Sequence, residues 1–525
     1  MEDFLSHILA ISGALLLVIL YNLRRARGWR YRNNGLTAPE PSGALPILGH
    51  LHLLGAQKTL ARTLAAMADK HGPIFRIWLG KNPAVVISSS EIIKECFTTY
   101  DKILASRPKS SHGECLSYNY AAFGFASYGT YWRNMRKLVT IQLLSGHRLK
   151  ELRHVRVSEV NTFVKDLYSL CKISKHHSIT TVVISEWLER LTLNMITRMI
   201  AGKKYYFSSP DAENQEEGKR IGKLIKEYMY VSGTLVPSDL IPFLGWLNYF
   251  PGPVKTMKRL SRELDSVMEN WIEDHKLKKM KMEPNNVQDF IDVMLSAMDD
   301  DSICGHTREN VIKGTSTTLI IAGADTTAIA STWILSNLLN NRNTLERAQE
   351  ELDQKVGRER WVEESDIGNL AYLQAIIKET LRLYPPGPLG VPHEATEDCC
   401  IAGYHIPKGT RLLVNFWKLH RDPEVWSNPD EFMPERFLTM QSKVDVLGQN
   451  FELLPFGSGR RSCPGMTFAL QAIPLTLAML LQGFDVTPPS NVPVDMSEGA
   501  GITLSKATPL QVQITPRLNP HLYEL

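Results

Sequence analysis

The stretch Phe-Gly-Ser-Gly-Arg-Arg-Ser-Cys-Pro-Gly, residues 456–465, constrains this 525-residue chain more than any other. It presents one thiol, Cys463, on a loop whose Gly457 and Gly459 tolerate positive φ and let a flat ligand come close to the backbone. Pro464 stands just ahead of an apolar, helix-like run from Met466 to Leu481. The sulfur is therefore expected near a helix N-terminus, where unpaired N–H groups lower a cysteine pKa and a metal ion at the sulfur would complete its deprotonation. Arg461, two residues earlier, is placed to clamp a carboxylate. The plain alternative is a buried free cysteine in a glycine turn.

Five positions of the loop, Phe456, Gly459, Arg461, Cys463 and Gly465, fill every fixed place of Phe-x-x-Gly-x-Arg-x-Cys-x-Gly. This resembles the haem-binding signature of the cytochrome P-450 superfamily. The resemblance implies haem b (iron protoporphyrin IX) with Cys463 as proximal thiolate, a ligand that pushes electron density to the iron and favours O–O cleavage.

Other segments carry the same resemblance. Trp132 and Arg136 lie four apart on one helix face, so an indole N–H and a guanidinium can reach one anion; a half-buried Trp beside a solvated Arg is the plain reading. The resemblance makes both partners of a haem propionate, and gives His393 the same role. Arg133 and Lys137 are read as outer-surface residues, either where an acidic flavoprotein reductase can dock or as a plain solvated face. The apolar run Thr315 to Leu339 is interrupted by Ala322-Gly323-Ala324-Asp325-Thr326-Thr327, small and polar where a buried helix should want large residues. Glycine there is read as leaving room, and a threonine hydroxyl can bond back to the preceding turn. A helix break with Asp325 as N-cap is the competing reading. The segment resembles the superfamily's oxygen-activation motif, with Thr326 as the assisting hydroxyl and Asp325 as proton relay. Glu379 and Arg382 share a face at i, i+3, and Arg436 supplies the second arginine of the superfamily's Glu-Arg-Arg triad, a buried structural network. Around Arg360–Ile367, Trp417–Pro423 and Glu498–Gly501 the chain looks most like family eighty-two of the plant cytochromes P-450. In the superfamily substrate choice lies in variable segments, which by resemblance correspond here to Ser106–Tyr128, Tyr205–Pro253, Ile321–Thr326, Pro388–Val391 and Ala500–Thr503; Phe123, Phe125, Ile321, Ala322, Leu389, Val391 and Ile502 there are candidates for a lipophilic substrate pocket, with plain core as the alternative.

Composition adds bounds. Hydrophobic residues at 43% with charged ones at 22% permit a large core, and 59 Lys plus Arg against 55 Asp plus Glu leave an excess too small to imply a nucleic-acid partner. Seven cysteines with no Cys-x-x-Cys pair fit a reducing compartment, and the adjacent Cys399 and Cys400 are read as ordinary thiols. From Phe4 to Tyr21 the chain is almost wholly apolar, and at about 1.5 Å per residue it can just span a bilayer. Arg24, Arg25, Arg27, Arg30 and Arg32 follow it, which places the remainder in the cytosol. A cleaved signal peptide is disfavoured because its charge should precede the apolar core.

The expected organisation is an N-terminal transmembrane signal-anchor over residues 1–23, a basic and proline-rich hinge over 24–46, and one haem-thiolate monooxygenase catalytic domain over 47–525. Its fold, by resemblance, is mainly α with a small β-rich subdomain. The implied function is NADPH- and O₂-dependent hydroxylation of a lipophilic plant specialised metabolite (flavonoid, terpenoid or alkaloid) at the endoplasmic reticulum membrane. No nucleotide-binding Gly-x-Gly-x-x-Gly is present, so electrons must come through a separate flavoprotein reductase. A haem-thiolate isomerase or dehydratase needing neither O₂ nor reductase is the alternative, and a non-enzymatic haem-binding protein the second.

Overall fold

The computed structural model describes residues 12–13, 35–55, 59–173, 180–207, 212–281, 288–298, 303–490 and 492–524. The expected anchor, Phe4 to Tyr21, falls almost wholly outside the described residues, as do the arginines after it.

The elements run, in chain order, α1 (Leu60–His71), β1 (Ile74–Leu79), β2 (Asn82–Ile87), α2 (Ser90–Thr98), α3 (Thr130–Val139), α4 (Arg153–Ile173), β3 (Thr180–Val183), α5 (Ile184–Ala201), α6 (Ala212–Ser232) and α7 (Pro253–Met280). After these come α8 (Phe290–Ala297), α9 (Arg308–Asn340), α10 (Arg342–Lys355), α11 (Ala371–Leu383), β4 (His393–Glu394), β5 (Cys399–Ile401), β6 (Tyr404–Ile406), β7 (Arg411–Val414), α12 (Met466–Gly483), β8 (Phe484–Thr487) and β9 (Gln511–Pro516). Short helical turns join them.

Ile74 to Ile87 forms a hairpin, β1 and β2, that heads a four-stranded sheet ordered β1-β2-β7-β4. Its turn needs Gly80, at φ +60°, because a Cβ there would lie 2.3 Å from the carbonyl oxygen of Leu240. Strand alternation covers the sheet on both faces: Val85, Ile87, Leu412 and Val414 enter one apolar cluster, Ala84, Val86 and Leu413 another. The other sheets are β3-β9-β8 and β5-β6.

The helical body is built around α9. Thr307 caps it, its Oγ1 accepting from the amide of Asn310, and 33 residues carry it about 50 Å through the protein. Its interior position explains an apolar composition all round rather than a stripe. Both α9 and α12 are long and apolar enough to cross a membrane, yet 72% of each apolar window is buried inside the protein, so both are core helices. The most extensive packing is α5 on α9, and α12 packs against α4, α9, α10 and α11.

Candidate active site

The 456–465 loop is held on both sides. Gly459 has φ +66°, and a Cβ there would meet Asp101 Oδ1 at 2.5 Å. Asp101 accepts from the amide of Arg460 at 3.1 Å and from Arg460 Nη1 at 2.9 Å, tying the loop to the turn after α2. The Cys463 amide donates to Phe456 O at 2.8 Å, closing the turn and aiming the thiol outward from the loop. Phe456 packs against the main core, and Gly465 leads into α12. Cys463 has accessible surface, while the protein packed around the loop desolvates its sulfur.

Its ionisation differs from the expectation. Burial pushes the Cys463 thiol up, and the amides of Gly465 and Met466 with the Arg136 cation, which pull it down, do not overcome that. The helix terminus stabilises the thiolate without generating it.

Beside the loop stand four basic groups with no acid among them. Arg461 is the electrostatic neighbour of Arg107, Arg136 and His393, and none of the four forms an ion pair with a carboxylate of the described residues. Burial lowers the pKa of each, that of Arg461 to about 9, and their mutual repulsion adds to the effect on Arg107, His393 and Arg461. Arg107 Nη1 donates to Val391 O and Pro392 O, while its Nε is buried with no partner. Arg461 is less free than its sequence position implied. It donates to the carbonyls of Ala105 (2.6 Å), Phe123 (3.4 Å) and Ala126 (2.5 Å), and its guanidinium stacks 4.4 Å from the Trp132 ring. His393 Nδ1 donates to Leu104 O at 2.8 Å, leaving Nε2 to the cluster. Arg107 was missed by sequence reasoning; Ser106-Arg107-Pro108 opens a stretch read for substrate choice, so its only signal was a basic residue in an otherwise apolar segment.

A dianion with two carboxylate arms fits such a cluster, and haem's propionates are that chemistry. The accessible sulfur, amides behind it and cations without counter-charge together fit the haem that the loop implies. Cys463 would hold the iron, and Arg107, Trp132, Arg136, His393 and Arg461 the propionates.

On α9 the polar interruption does not break the helix. Among buried neighbours, Ala322 is exposed and Asp325 and Thr326 are partly so, so this turn borders an internal space. Thr326 Oγ1 donates to Ala322 O at 2.7 Å. Asp325 accepts from Thr503 Oγ1 at 3.0 Å, and burial lifts its carboxyl to about 6 despite that bond. Gly323 does not leave room: a Cβ there would come within 3.0 Å of Ile196, so this glycine serves the close approach of α5.

Glu379, Arg382 and Arg436 do come together, all at most 1% exposed. Glu379 accepts from Arg382 Nε (2.7 Å) and Nη2 (2.8 Å), from Arg436 Nε (3.0 Å) and from the Met433 amide (2.9 Å). The remaining guanidinium donors go to backbone carbonyls, among them His420 O at 2.8 Å. His420 Nε2 in turn accepts from the Leu454 amide at 2.9 Å, and Leu454 O receives the Gly457 amide, so the network reaches the thiol loop.

Of the substrate-pocket candidates, Phe125, Leu389, Val391 and Ile502 line a cavity of about 220 Å³, with Arg107 and Thr503 also on its wall. Ala322 faces the internal space described above. Phe123 and Ile321, 4% and 2% exposed, are packed into the core and face neither.

The family model described as cytochrome P-450 matches residues 39–514. Cytochrome P-450 CYP82J17 of Trigonella foenum-graecum is 52% identical over all of both chains. Vinorine hydroxylase of Rauvolfia serpentina is 49% identical over 99% of this chain and 100% of that one, and xanthotoxin 5-hydroxylase CYP82C4 of Arabidopsis thaliana 51% identical over 93% and 94%. Among solved structures, a zebra fish cytochrome P-450 with progesterone superposes with TM-score 0.72 at 26% identity, covering 88% of this chain and 100% of that one. With the 456–465 thiol loop, the basic cluster and the buried triad in one fold, this chain belongs to the cytochrome P-450 family, in the plant group whose members bear CYP82 names.

Proposed function

We propose that the protein is a membrane-bound haem-thiolate monooxygenase that takes two electrons from NADPH through a flavoprotein reductase and hydroxylates a lipophilic plant specialised metabolite. The observation that carries this is the accessible Cys463 thiol beside a basic cluster with no carboxylate of its own. Relatives named vinorine hydroxylase and xanthotoxin 5-hydroxylase support it.

Haem, when bound through Cys463, supplies the chemistry of O₂ activation. The chain's own residues do the rest. The amides of Gly465 and Met466 and the Arg136 cation temper the charge on Sγ. Asp325, with a carboxyl near 6, can hold or release a proton close to neutrality, and Thr326 Oγ1 can turn from Ala322 O to pass it on. The apolar cavity orients the substrate and excludes water. The exposed Arg133 and Lys137, with Arg460, form a basic rim beside the thiol loop, suited to an acidic reductase. Phe243, Trp246, Tyr249 and Phe250 are all more than half exposed, an aromatic patch suited to the lipid interface of the endoplasmic reticulum. The domain limits 1–23, 24–46 and 47–525 belong to the same proposal.

The test is reconstitution. Turnover must require reductase, NADPH and O₂ together, and the reduced carbon monoxide spectrum must show thiolate ligation. Thr326→Ala should send most reducing equivalents to hydrogen peroxide; product formed without O₂ would overturn the reading.

A further inference from the structure

The cavity holds one charged group whose donors are unused. Arg411 begins β7, and strand alternation puts it on the face of Leu413, which lines the same cavity, while Leu412 enters the core behind. Its guanidinium makes no hydrogen bond or ion pair with any described residue. Of the other polar groups on that wall, Ser232 Oγ and Arg107 Nε are buried without a partner, while several more are engaged. Arg107 donates to two carbonyls, the carboxylate oxygens of Asp239 accept from Ser111 Oγ (2.6 Å) and the Ser111 amide (2.9 Å), and His112, kept neutral by burial, bonds Val231 O at 3.0 Å. Arg411 also stands apart from the basic cluster: the charges acting on it are Glu394 and Asp239. Its five N–H groups, on a wall where apolar side chains alternate with polar ones, call for an oxygen acceptor.

We propose that Arg411 is a specificity-determining residue that holds a carboxylate, phenolate or carbonyl oxygen at one end of a flat apolar substrate, and so selects oxygen-terminated compounds against cationic amines. The inference rests on the monooxygenase reading and narrows its substrate class. A charge-assisted bond in this setting is worth about tenfold or more in affinity, whereas an ammonium group has nothing to accept with and meets like charge.

Three probes with one ring system separate the contributions: 2-naphthoate, naphthalene and (2-naphthylmethyl)trimethylammonium, the last unable to ligate iron. Binding to the full-length holoprotein in lipid nanodiscs is read by equilibrium dialysis. The parent should bind naphthoate at least tenfold tighter than the ammonium probe. Arg411→Leu should weaken naphthoate about tenfold and leave naphthalene within about twofold, and Arg411→Lys should keep part of the preference. Unchanged naphthoate affinity in Arg411→Leu, or an ammonium probe that binds the parent more tightly, overturns the proposal. If Arg411→Leu does not retain haem, Arg411→Lys and Arg411→Gln decide on the same criterion. The reduced carbon monoxide spectrum of each preparation reports separately on haem-thiolate ligation. A parent without that band would sink the monooxygenase reading, while dialysis would still decide what Arg411 binds.

Discussion

Two charge clusters stand near the thiol loop, and they are built in opposite ways. In Glu379–Arg382–Arg436 the carboxylate meets both guanidinium groups, and the remaining donors end on backbone carbonyls. Arg107, Arg136, His393 and Arg461 pair with no carboxylate of the described residues, and repulsion among them lowers the pKa of Arg107, His393 and Arg461 further. A saturated network holds the chain together; an unsaturated one is arranged for something that is not the chain. Buried cations without partners cost folding free energy, and a fold keeps them where a ligand returns that cost.

The comparison breaks most sharply at Glu379. Replacing it with Gln strands two guanidinium groups that are at most 1% exposed and should cost about 3–5 kcal/mol. The folded fraction in a urea titration should collapse, in apo- and holoprotein alike. A loss confined to haem binding would show that the triad is not structural.

Asp325 gives the next largest effect, and its sign follows from linkage. Its folded pKa of about 6 stands above the ordinary 3.8, so between those values the native state holds a proton that the unfolded chain has lost. Stability therefore falls as pH rises through that window. Asp325→Asn should gain about 2–3 kcal/mol relative to the parent between about pH 4 and 6.5. The gain should appear as a Tm difference that widens with pH; a constant difference would mean that the carboxyl is not desolvated.

Arg107→Leu should act opposite to the triad variant. The apoprotein should be as stable as the parent or more so, because an unpaired buried cation is gone. The holoprotein should lose haem about tenfold faster to a scavenging protein, for a lost charge-assisted bond of about 1.5–3 kcal/mol. Destabilised apoprotein with unaltered haem retention would place Arg107 with the structural charges.

Much of the site could be read from residues in a row. The loop geometry of 456–465, the 130–139 helix and the long α9 depend on local rules of glycine, capping and periodicity, and local rules survive any tertiary arrangement. Where the reading went astray, a distant residue decided. Gly323 was read as making room, but what it makes room for is Ile196, 127 positions earlier. Phe123 and Phe125 look alike in sequence, and packing sends the first into the core and the second to the cavity. The Cys463 thiol was expected to be acidified by its helix, a local effect, and burial, a global one, outweighs it.

By itself, then, the sequence determined the reaction class, because the thiol, its glycines and its arginine lie within ten residues whose turn forces them together. Only the tertiary structure decided how the charges are used. Whether Arg382 is neutralised, Arg107 awaits an anion or Arg411 keeps its donors unused depends on which carboxylates lie within a few ångströms, and Coulomb energy is set by distance in space and local dielectric rather than by separation along the chain.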